Sequence, residues 1–223
     1  MHKKILFFCS EGLLYIVALF IICIITTAFT FLYSNPILIG FNILLWLLFL
    51  EFCYFFRDPD RNIPQEPGAI IAPADGKIIS INKMKETEFL KSESIKVSIF
   101  MNVFNVHVNR APISGRIEYY HYNPGKFISA FKDKASLDNE QVSIGIHCEE
   151  DGKKVLLKLI AGLIARRIVL WKRVGDELRK GERISIIKFG SRVELYLPLN
   201  VELKVNKGDW VRAGETIIGM IIK

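Results

Sequence analysis

The pair Gly190-Ser191 has the residue types that a self-cleaving chain requires. A serine hydroxyl can attack the carbonyl carbon of the residue before it and convert that peptide bond into an ester. Glycine suits the preceding position, because it has no Cβ to block the attack and tolerates strained backbone angles. β-Elimination of the ester then cuts the chain and leaves residue 191 as an N-terminal pyruvoyl group, an electrophilic carbonyl. Because Gly-Ser is also common in turns, the rest of the chain has to decide between the two interpretations.

Two apolar segments near the N-terminus predict a membrane anchor. Residues 13–33 and 37–56 are each about as long as a helix that crosses the hydrocarbon core, and residues 34–36 form a turn between them. No small-residue cleavage site follows the first segment, which favours a retained anchor over a signal peptide. The alternative is that both helices lie in the interface or pack on the remaining domain.

Flanking charge predicts the orientation of this hairpin. Lys3 and Lys4 precede the first segment and Arg57 and Arg61 follow the second, whereas the turn between them has no basic residue. The positive-inside rule therefore predicts that both ends lie in the cytoplasm. We expect an anchor over 1–56 in the cell membrane and a second domain, residues 57–223, on its cytoplasmic side.

The charged residues are concentrated in that second domain. The net charge is +7, and only four charged side chains precede Arg57. Beside a membrane this charge favours anionic headgroups, whereas no recognition motif indicates nucleic acid binding. Cys148 is alone in the domain, so there is no disulfide framework.

Short runs rich in β-branched residues dominate the second domain, separated by Gly, Pro, Asn or Asp. This spacing is typical of a sandwich or barrel rather than of βαβ units. The predicted strands are 69–72, 77–81, 95–100, 106–108, 115–119, 143–147, 155–160, 184–188, 193–197, 202–205 and 216–222. The stretch 165–171 could be a strand or a helix.

One motif occurs twice. Residues 175–184 and 208–217 share the pattern Gly-Asp-x-(Leu/Val)-Arg-x-Gly-Glu-x-Ile. Each copy indicates a turn, a short link and a second turn that opens a strand. Such repeated units resemble the flattened barrels of biotinyl and lipoyl carrier domains. We therefore expect a mainly β, flattened barrel-sandwich domain behind an N-terminal transmembrane α-hairpin.

Four further blocks stand in a fixed order along the chain. They are Phe55-Phe56-Arg57-Asp58-Pro59 with Pro73-Ala74-Asp75-Gly76-Lys77; residues 100–112, which include Val106-His107-Val108-Asn109-Arg110; Asn123-Pro124-Gly125-Lys126-Phe127 with Lys134-Ala135-Ser136; and residues 162–169 leading to Lys188-Phe189-Gly190-Ser191-Arg192-Val193. In this order and spacing the chain resembles the short bacterial form of phosphatidylserine decarboxylase, a pyruvoyl-dependent membrane enzyme made as a self-cleaving proenzyme. The resemblance runs from about residue 55 to residue 197 and includes the hydrophobic N-terminus.

The resemblance implies a cut between Gly190 and Ser191, which gives a β chain (1–190) and an α chain (191–223). It places Asp75 and His107 with Ser191 in a relay for self-processing. His107 would take the proton of the serine hydroxyl, and Asp75 would orient the ring and stabilise its cation. Taken alone, Asp75 before glycine is a turn signal and His107 between valines is an ordinary strand residue.

The resemblance also implies the reaction, which is decarboxylation of phosphatidylserine to phosphatidylethanolamine. The substrate amine would form a Schiff base with the pyruvoyl group of residue 191, which accepts the electrons released as CO₂ leaves, without PLP and without a metal. The expected partners are phosphatidylserine in the membrane and the two fragments of the chain as a heterodimer. A homo-oligomer is left open.

Two departures from the family pattern leave roles unassigned. Longer members have a second histidine where this chain has Phe104, so the proton donor to the carbanion is left open among His107, His121 and water. Residues 139–142 lack the arginine that relatives have in Asn-Glu-Arg-Asn, which puts the ligand role of that loop in doubt. Basic residues that could bind the lipid phosphate, without a ranking, are Lys126, Arg166 and Arg192.

Other interpretations account for single features. A non-enzymatic, membrane-anchored carrier or adaptor explains the anchor and the repeated motif but gives no reason for Asp75, His107 or Gly190-Ser191. Lys134 stands in the tripeptide of a lipoylated lysine, yet in a polar loop and not between matching half-repeats. Three residues could be zinc ligands but lack paired ligand spacing: His121, His147 and Cys148.

Overall fold

The computed structural model describes residues 4–5, 7–125, 139–148, 152–162, 167–188 and 190–222. The chain divides into two compact units, His2–Pro59 and Asp60–Lys223. Three residues that the sequence analysis considered as phosphate-binding or lipoylated residues, Lys126, Lys134 and Arg166, lie outside the described residues.

The N-terminal unit contains two apolar helices. Its elements are β1 (Lys4–Ile5), β2 (Phe8–Cys9), α1 (Ser10–Tyr33) and α2 (Pro36–Phe55). Asn35 begins α2 by accepting a hydrogen bond from the N–H of Ile37 at 2.8 Å, and Pro36 fits the first helical position, which needs no donor. Both helices are long and apolar enough to cross a membrane, and most of their large apolar side chains are exposed. The two predicted N-terminal helices are confirmed.

A small polar cluster joins the two helices. The side-chain amide of Asn42 in α2 donates to the hydroxyls of Thr26 at 2.8 Å and Thr27 at 3.0 Å in α1. The indole N–H of Trp46 donates to the hydroxyl of Thr27 at 3.1 Å. Hydrogen bonds of this kind link apolar helices that have no hydrophobic reason to associate in a bilayer.

The second unit is built of antiparallel β-strands. In chain order these are β3 (Ala69–Ile71), β4 (Gly76–Lys85), β5 (Glu93–Met101), β6 (Val108–Arg110), β7 (Gly115–Asn123), β8 (Gln141–Cys148), β9 (Lys153–Ala161), β10 (Ile168–Leu170), β11 (Glu177–Leu178), β12 (Arg183–Ile187), β13 (Ser191–Pro198), β14 (Val201–Leu203), β15 (Trp210–Val211) and β16 (Ile217–Ile221). Eight of them form one curled sheet in the order β11-β7-β8-β9-β13-β5-β4-β15. Two three-stranded sheets, β10-β12-β6 and β14-β16-β3, accompany it. The prediction of a mainly β fold is confirmed.

Strand β13 lies within the large sheet, between β9 and β5. Its apolar residues Val193 and Leu195 alternate with Arg192 and Glu194, and all four are buried. The guanidinium of Arg192 pairs with the carboxylate of Glu194 at 3.0 Å. A slip by one residue would place this ion pair in the apolar core, so the alternation fixes the register of β13.

The motif that occurs twice forms two equivalent turns. The Asp176 carboxylate accepts the N–H of Arg173 at 2.9 Å, and the Asp209 carboxylate accepts the N–H of Asn206 at 2.7 Å. Both turns are followed by a two-residue strand, β11 or β15, at an end of the large sheet.

A second motif also occurs twice, and the sequence analysis missed it. Its two copies pair with the short strands that follow these turns. The pattern Ala-Pro-x-x-Gly-(Lys/Arg)-Ile occurs at residues 72–78 and 111–117. The first copy pairs with β15 and the second pairs with β11. Four segments therefore form two equivalent pairs, and the domain is internally duplicated.

Candidate active site

Three neighbouring strands bring two of the predicted residues to one end of the large sheet. β13 begins at Ser191, its neighbour β5 ends at Met101, and Asp75 directly precedes the next strand, β4. In the antiparallel register, Ser191 lies opposite Met101 on one side and opposite Ala161 on the other. Ser191 and Asp75 therefore lie at the same end of the sheet, although they are far apart in sequence.

The peptide bond between Gly190 and Ser191 lies at the entrance to β13. Gly190 has a φ of +67°, and an added Cβ would meet no described atom within 4 Å. Glycine is thus needed for its backbone conformation, which costs another residue about 1 kcal/mol, and not for space. Ser191 is 0% exposed, and its hydroxyl donates to the sulfur of Met101 at 3.2 Å. The carbonyl oxygen of Gly190 accepts the N–H of Gly162 at 3.0 Å.

His107 is fully buried in the segment between β5 and β6. The N–H of Asn102 donates to the side-chain oxygen of Asn105 at 2.9 Å, which folds this segment back. Nδ1 of His107 lies 2.9 Å from the carbonyl oxygen of Asn105. Because a carbonyl oxygen only accepts, the ring proton is on Nδ1 and Nε2 is the basic nitrogen. This is a tautomer that a general base can use.

The carboxylate of Asp75 binds Arg61 and the backbone of Ala213. Nη2 of Arg61 lies 3.1 and 2.9 Å from the two carboxylate oxygens, and the N–H of Ala213 donates to one of them at 2.7 Å. Within the described part of the chain, His107 is not a hydrogen-bond partner of this carboxylate. The pairing of Asp75 with His107, which the resemblance implies, stays a prediction.

Comparison with known proteins identifies the family. The family model described as phosphatidylserine decarboxylase matches residues 48–219. The chain belongs to the phosphatidylserine decarboxylase family. The phosphatidylserine decarboxylase proenzyme of Desulfotalea psychrophila is 53% identical over 169 residues, which cover 76% of this chain and 78% of the relative. The proenzyme of the same name from Carboxydothermus hydrogenoformans is 43% identical over 220 residues, which cover 98% of this chain and 99% of the relative.

Residues 139 and 140 support β9, the strand next to Ser191. The side-chain amide of Asn139 donates to the carbonyl of Ala161 at 2.7 Å, and the N–H of Ala161 donates to the carbonyl of Glu140 at 2.9 Å. Burial raises the pKa of the Glu140 carboxyl, although hydrogen bonds from the N–H of Ile168 and the hydroxyl of Tyr122 oppose it. Asn139 and Glu140 therefore position the end of β9, which lies opposite Ser191.

Other candidate residues have partners elsewhere. The buried Arg192 is paired with Glu194, as described above, so its charge is compensated inside the sheet. His121 is an exposed residue of β7, and Nδ1 of His147 lies 2.7 Å from the carboxylate of Glu118. Among the described residues, no group of three or more His, Cys, Asp or Glu side chains could hold a metal ion.

Four residues at this end of the sheet were given no part in the site by the sequence analysis, namely Arg61, Met101, Asn105 and Gly162. Arg61 was considered only as a charge that flanks the anchor, and the other three only as members of the blocks on which the resemblance rests. Met101 and Gly162 matter because of the residues opposite them, and that pairing cannot be read from local sequence.

Proposed function

We propose that this phosphatidylserine decarboxylase family member cuts itself between Gly190 and Ser191, and then converts phosphatidylserine to phosphatidylethanolamine with a pyruvoyl group formed from Ser191. The main support is that Gly190 has a positive φ and is followed by the buried Ser191, in a chain whose relatives are named proenzymes. Family membership supports a decarboxylase, whereas a carrier or adaptor gives these residues no role.

Self-cleavage begins when a base takes the proton of the serine hydroxyl, and it ends with two chains and ammonia. Nε2 of His107 takes the proton of the Ser191 hydroxyl as its oxygen bonds to the carbonyl carbon of Gly190. The C–N bond breaks, the nitrogen of residue 191 takes a proton, and an ester results. Loss of the Cα proton of residue 191 then breaks the Cβ–O bond and releases Gly190 as a carboxylate. Cβ of residue 191 then takes a proton and becomes the methyl group, and water replaces the nitrogen, which leaves as ammonia.

The surroundings of residue 191 fit a pyruvoyl group. Its cross-strand neighbours are Met101 and Ala161, and neither side chain carries an amine or thiol that would react with an electrophilic carbonyl. When present, the group supplies a carbonyl that binds the substrate amine and accepts the electron pair freed as CO₂ leaves. Ser191 is 0% exposed in the uncut chain, so a lipid headgroup reaches residue 191 only after the new chain ends separate. Cleavage therefore forms the group and opens access to it.

The two fragments remain together after the cut. The α chain (191–223) begins with β13, which is hydrogen-bonded to β9 and β5 of the β chain (1–190) on its two sides. The anchor over 1–56 holds the catalytic domain, residues 57–223, at the cytoplasmic face of the membrane. The basic charge of the domain favours an anionic lipid surface.

The variant Ser191→Ala tests the proposal directly. It removes the attacking oxygen, and we expect a full-length, inactive chain on a denaturing gel, whereas the wild type runs as two pieces. The intact mass of the small piece should match residues 191–223 with an N-terminal pyruvoyl group. Ser98→Ala is the matched control, because Ser98 is a buried serine of β5 whose hydroxyl has no partner among the described residues. The same two pieces from Ser191→Ala would refute self-cleavage by this serine.

A further inference from the structure

The carbonyl group of the bond that is cut has a hydrogen-bond donor fixed beside it. Gly162 directly follows β9 and Gly190 directly precedes β13, and the N–H of Gly162 donates to the carbonyl oxygen of Gly190 at 3.0 Å. This bond extends the ladder in which Ala161 pairs with Ser191. It joins the two strands at the peptide unit that the proposed self-cleavage attacks.

We propose that the backbone N–H of Gly162 is a catalytic group, the oxyanion donor for self-cleavage; the inference rests on the function proposed above. As the Ser191 oxygen bonds to the carbonyl carbon of Gly190, the C=O electron pair moves to the carbonyl oxygen, which becomes negative. That oxygen stays on the same carbon, so a donor 3.0 Å away remains within reach of it. When the C–N bond breaks, the carbonyl re-forms and the serine proton passes to the nitrogen of residue 191.

The position of the donor is fixed before the reaction. Ala161, which presents Gly162, is bound through its N–H to the carbonyl of Glu140 and through its carbonyl to the amide of Asn139, at 2.9 and 2.7 Å. Ser191 is also fully buried, so bulk solvent does not reach the bond in the uncut chain and screens the developing charge less. A preorganised donor in such a site contributes about 100- to 1000-fold to the rate of an acyl transfer.

Replacing one backbone N–H by oxygen tests this role in the full-length protein. In Gly162→glycolic acid the donor is lost and the shape is kept, and we expect self-cleavage to be about 100-fold slower. Gly208→glycolic acid is the matched control, since it removes the N–H that donates to the carbonyl of Ile78 at 2.8 Å in a turn. Cell-free synthesis on lipid vesicles, sampled over time on a denaturing gel, measures the rates. Equal rates in all three proteins overturn the inference, whereas an uncut wild type overturns the proposed function itself.

A measurement on uncut protein excludes a general folding effect. In a Ser191→Ala chain labelled with carbonyl-¹³C glycine and ¹⁵N alanine, only the peptide bonds after Gly68 and Gly190 carry both labels. Adding the Gly162→glycolic acid change removes the hydrogen bond to the Gly190 carbonyl, so the resonance of that carbonyl carbon should move upfield. The Gly68 carbonyl resonance should stay in place and serves as the internal reference. An unmoved Gly190 resonance overturns the inference even where the ester variant cleaves slowly, because the slow rate then has another cause.

Discussion

A buried histidine can act as a base only if its basic nitrogen is defined. In His107 the carbonyl of Asn105 holds the proton on Nδ1, which makes Nε2 the basic nitrogen. The carbonyl of Asn105 is held in place because the side chains of Asn102 and Asn105 accept hydrogen bonds from backbone N–H groups of the same segment. A neutral backbone group orients the ring without adding charge, so the cation formed when Nε2 takes a proton needs stabilisation from elsewhere.

His107→Gln is expected to fold and to cleave itself about 100-fold more slowly or worse, because glutamine fills the space but has no basic nitrogen. The control is His147→Gln, at a histidine that pairs with Glu118 on β7. Cleavage is followed on a denaturing gel and folding by circular dichroism. Wild-type cleavage in a folded His107→Gln protein would remove His107 from the processing mechanism.

The residue types of the site could be predicted, but their contacts could not. Gly190 and Ser191 stand out because their chemistry depends on adjacency in the chain. The contact between Ser191 and Met101 depends instead on the register of β13 with β5, which a local pattern does not contain. Asp75 shows the same limit, since its partner Arg61 lies in a segment with no strand pattern.

At the scale of elements, the duplication shows what Asp75 contributes to the fold. Asp75 and Ser114 occupy the same place in the two copies of Ala-Pro-x-x-Gly-(Lys/Arg)-Ile. Ser114 accepts the N–H of Lys180 at 2.9 Å, and Asp75 accepts the N–H of Ala213 at 2.7 Å. The hydrogen bond from a backbone N–H to this side chain is therefore common to both copies, and a serine is sufficient to accept it. The carboxylate charge and its pairing with Arg61 distinguish the copy at the same end of the large sheet as Ser191.

The double variant Arg61→Gln/Asp75→Ser separates these two roles. It removes both charges of the Arg61–Asp75 pair and keeps the acceptor for Ala213. Glu215, which lies 3.5 Å from Arg61, keeps its contact with Arg212 at 3.7 Å. We expect a folded protein whose self-cleavage is slowed roughly tenfold, equivalent to about 1.4 kcal/mol in the barrier. The effect should be modest, because Arg61 already compensates the Asp75 charge.

Ser114→Ala is the control for that double variant. It removes the equivalent backbone acceptor in the other copy and should cost about 1 kcal/mol of unfolding free energy without changing the cleavage rate. Thermal unfolding and a timed denaturing gel report the two quantities separately. A double variant that cleaves at the wild-type rate would show that Asp75 is a structural residue.

The strands themselves could largely be read from the sequence. The run 193–197 lies within β13 (Ser191–Pro198), and the run 95–100 lies within β5, because apolar residues alternate along both. The run 106–108 was misplaced, since the strand is Val108–Arg110 and the asparagine-folded segment occupies the residues before it. The order of strands was not predictable, because β13 enters between β9 and β5 from a distant part of the chain.

At the scale of the whole molecule, the proposed function assigns different tasks to the two units. The unit Asp60–Lys223 contains its own apolar core, both duplications and every residue assigned to self-cleavage. The unit His2–Pro59 contains the two helices that are long and apolar enough to span a membrane. Tethering raises the effective concentration of a lipid headgroup that is almost absent from bulk water.

A chain that begins at Asp60 is therefore expected to cleave itself like the full-length protein, yet to act poorly on phosphatidylserine in vesicles. It should retain activity on a detergent-dispersed, short-chain phosphatidylserine, and its residual binding to anionic vesicles should weaken as salt rises. A chain that begins at Asn62 is the matched comparison, because it loses the Arg61–Asp75 pair and the contact of Asp60 with Arg183 at 3.0 Å. We expect the shorter chain to unfold at a lower temperature and to cleave more slowly. If the Asp60 chain stays uncut and loses activity on both substrates equally, the N-terminal unit is needed for folding and not only for anchoring.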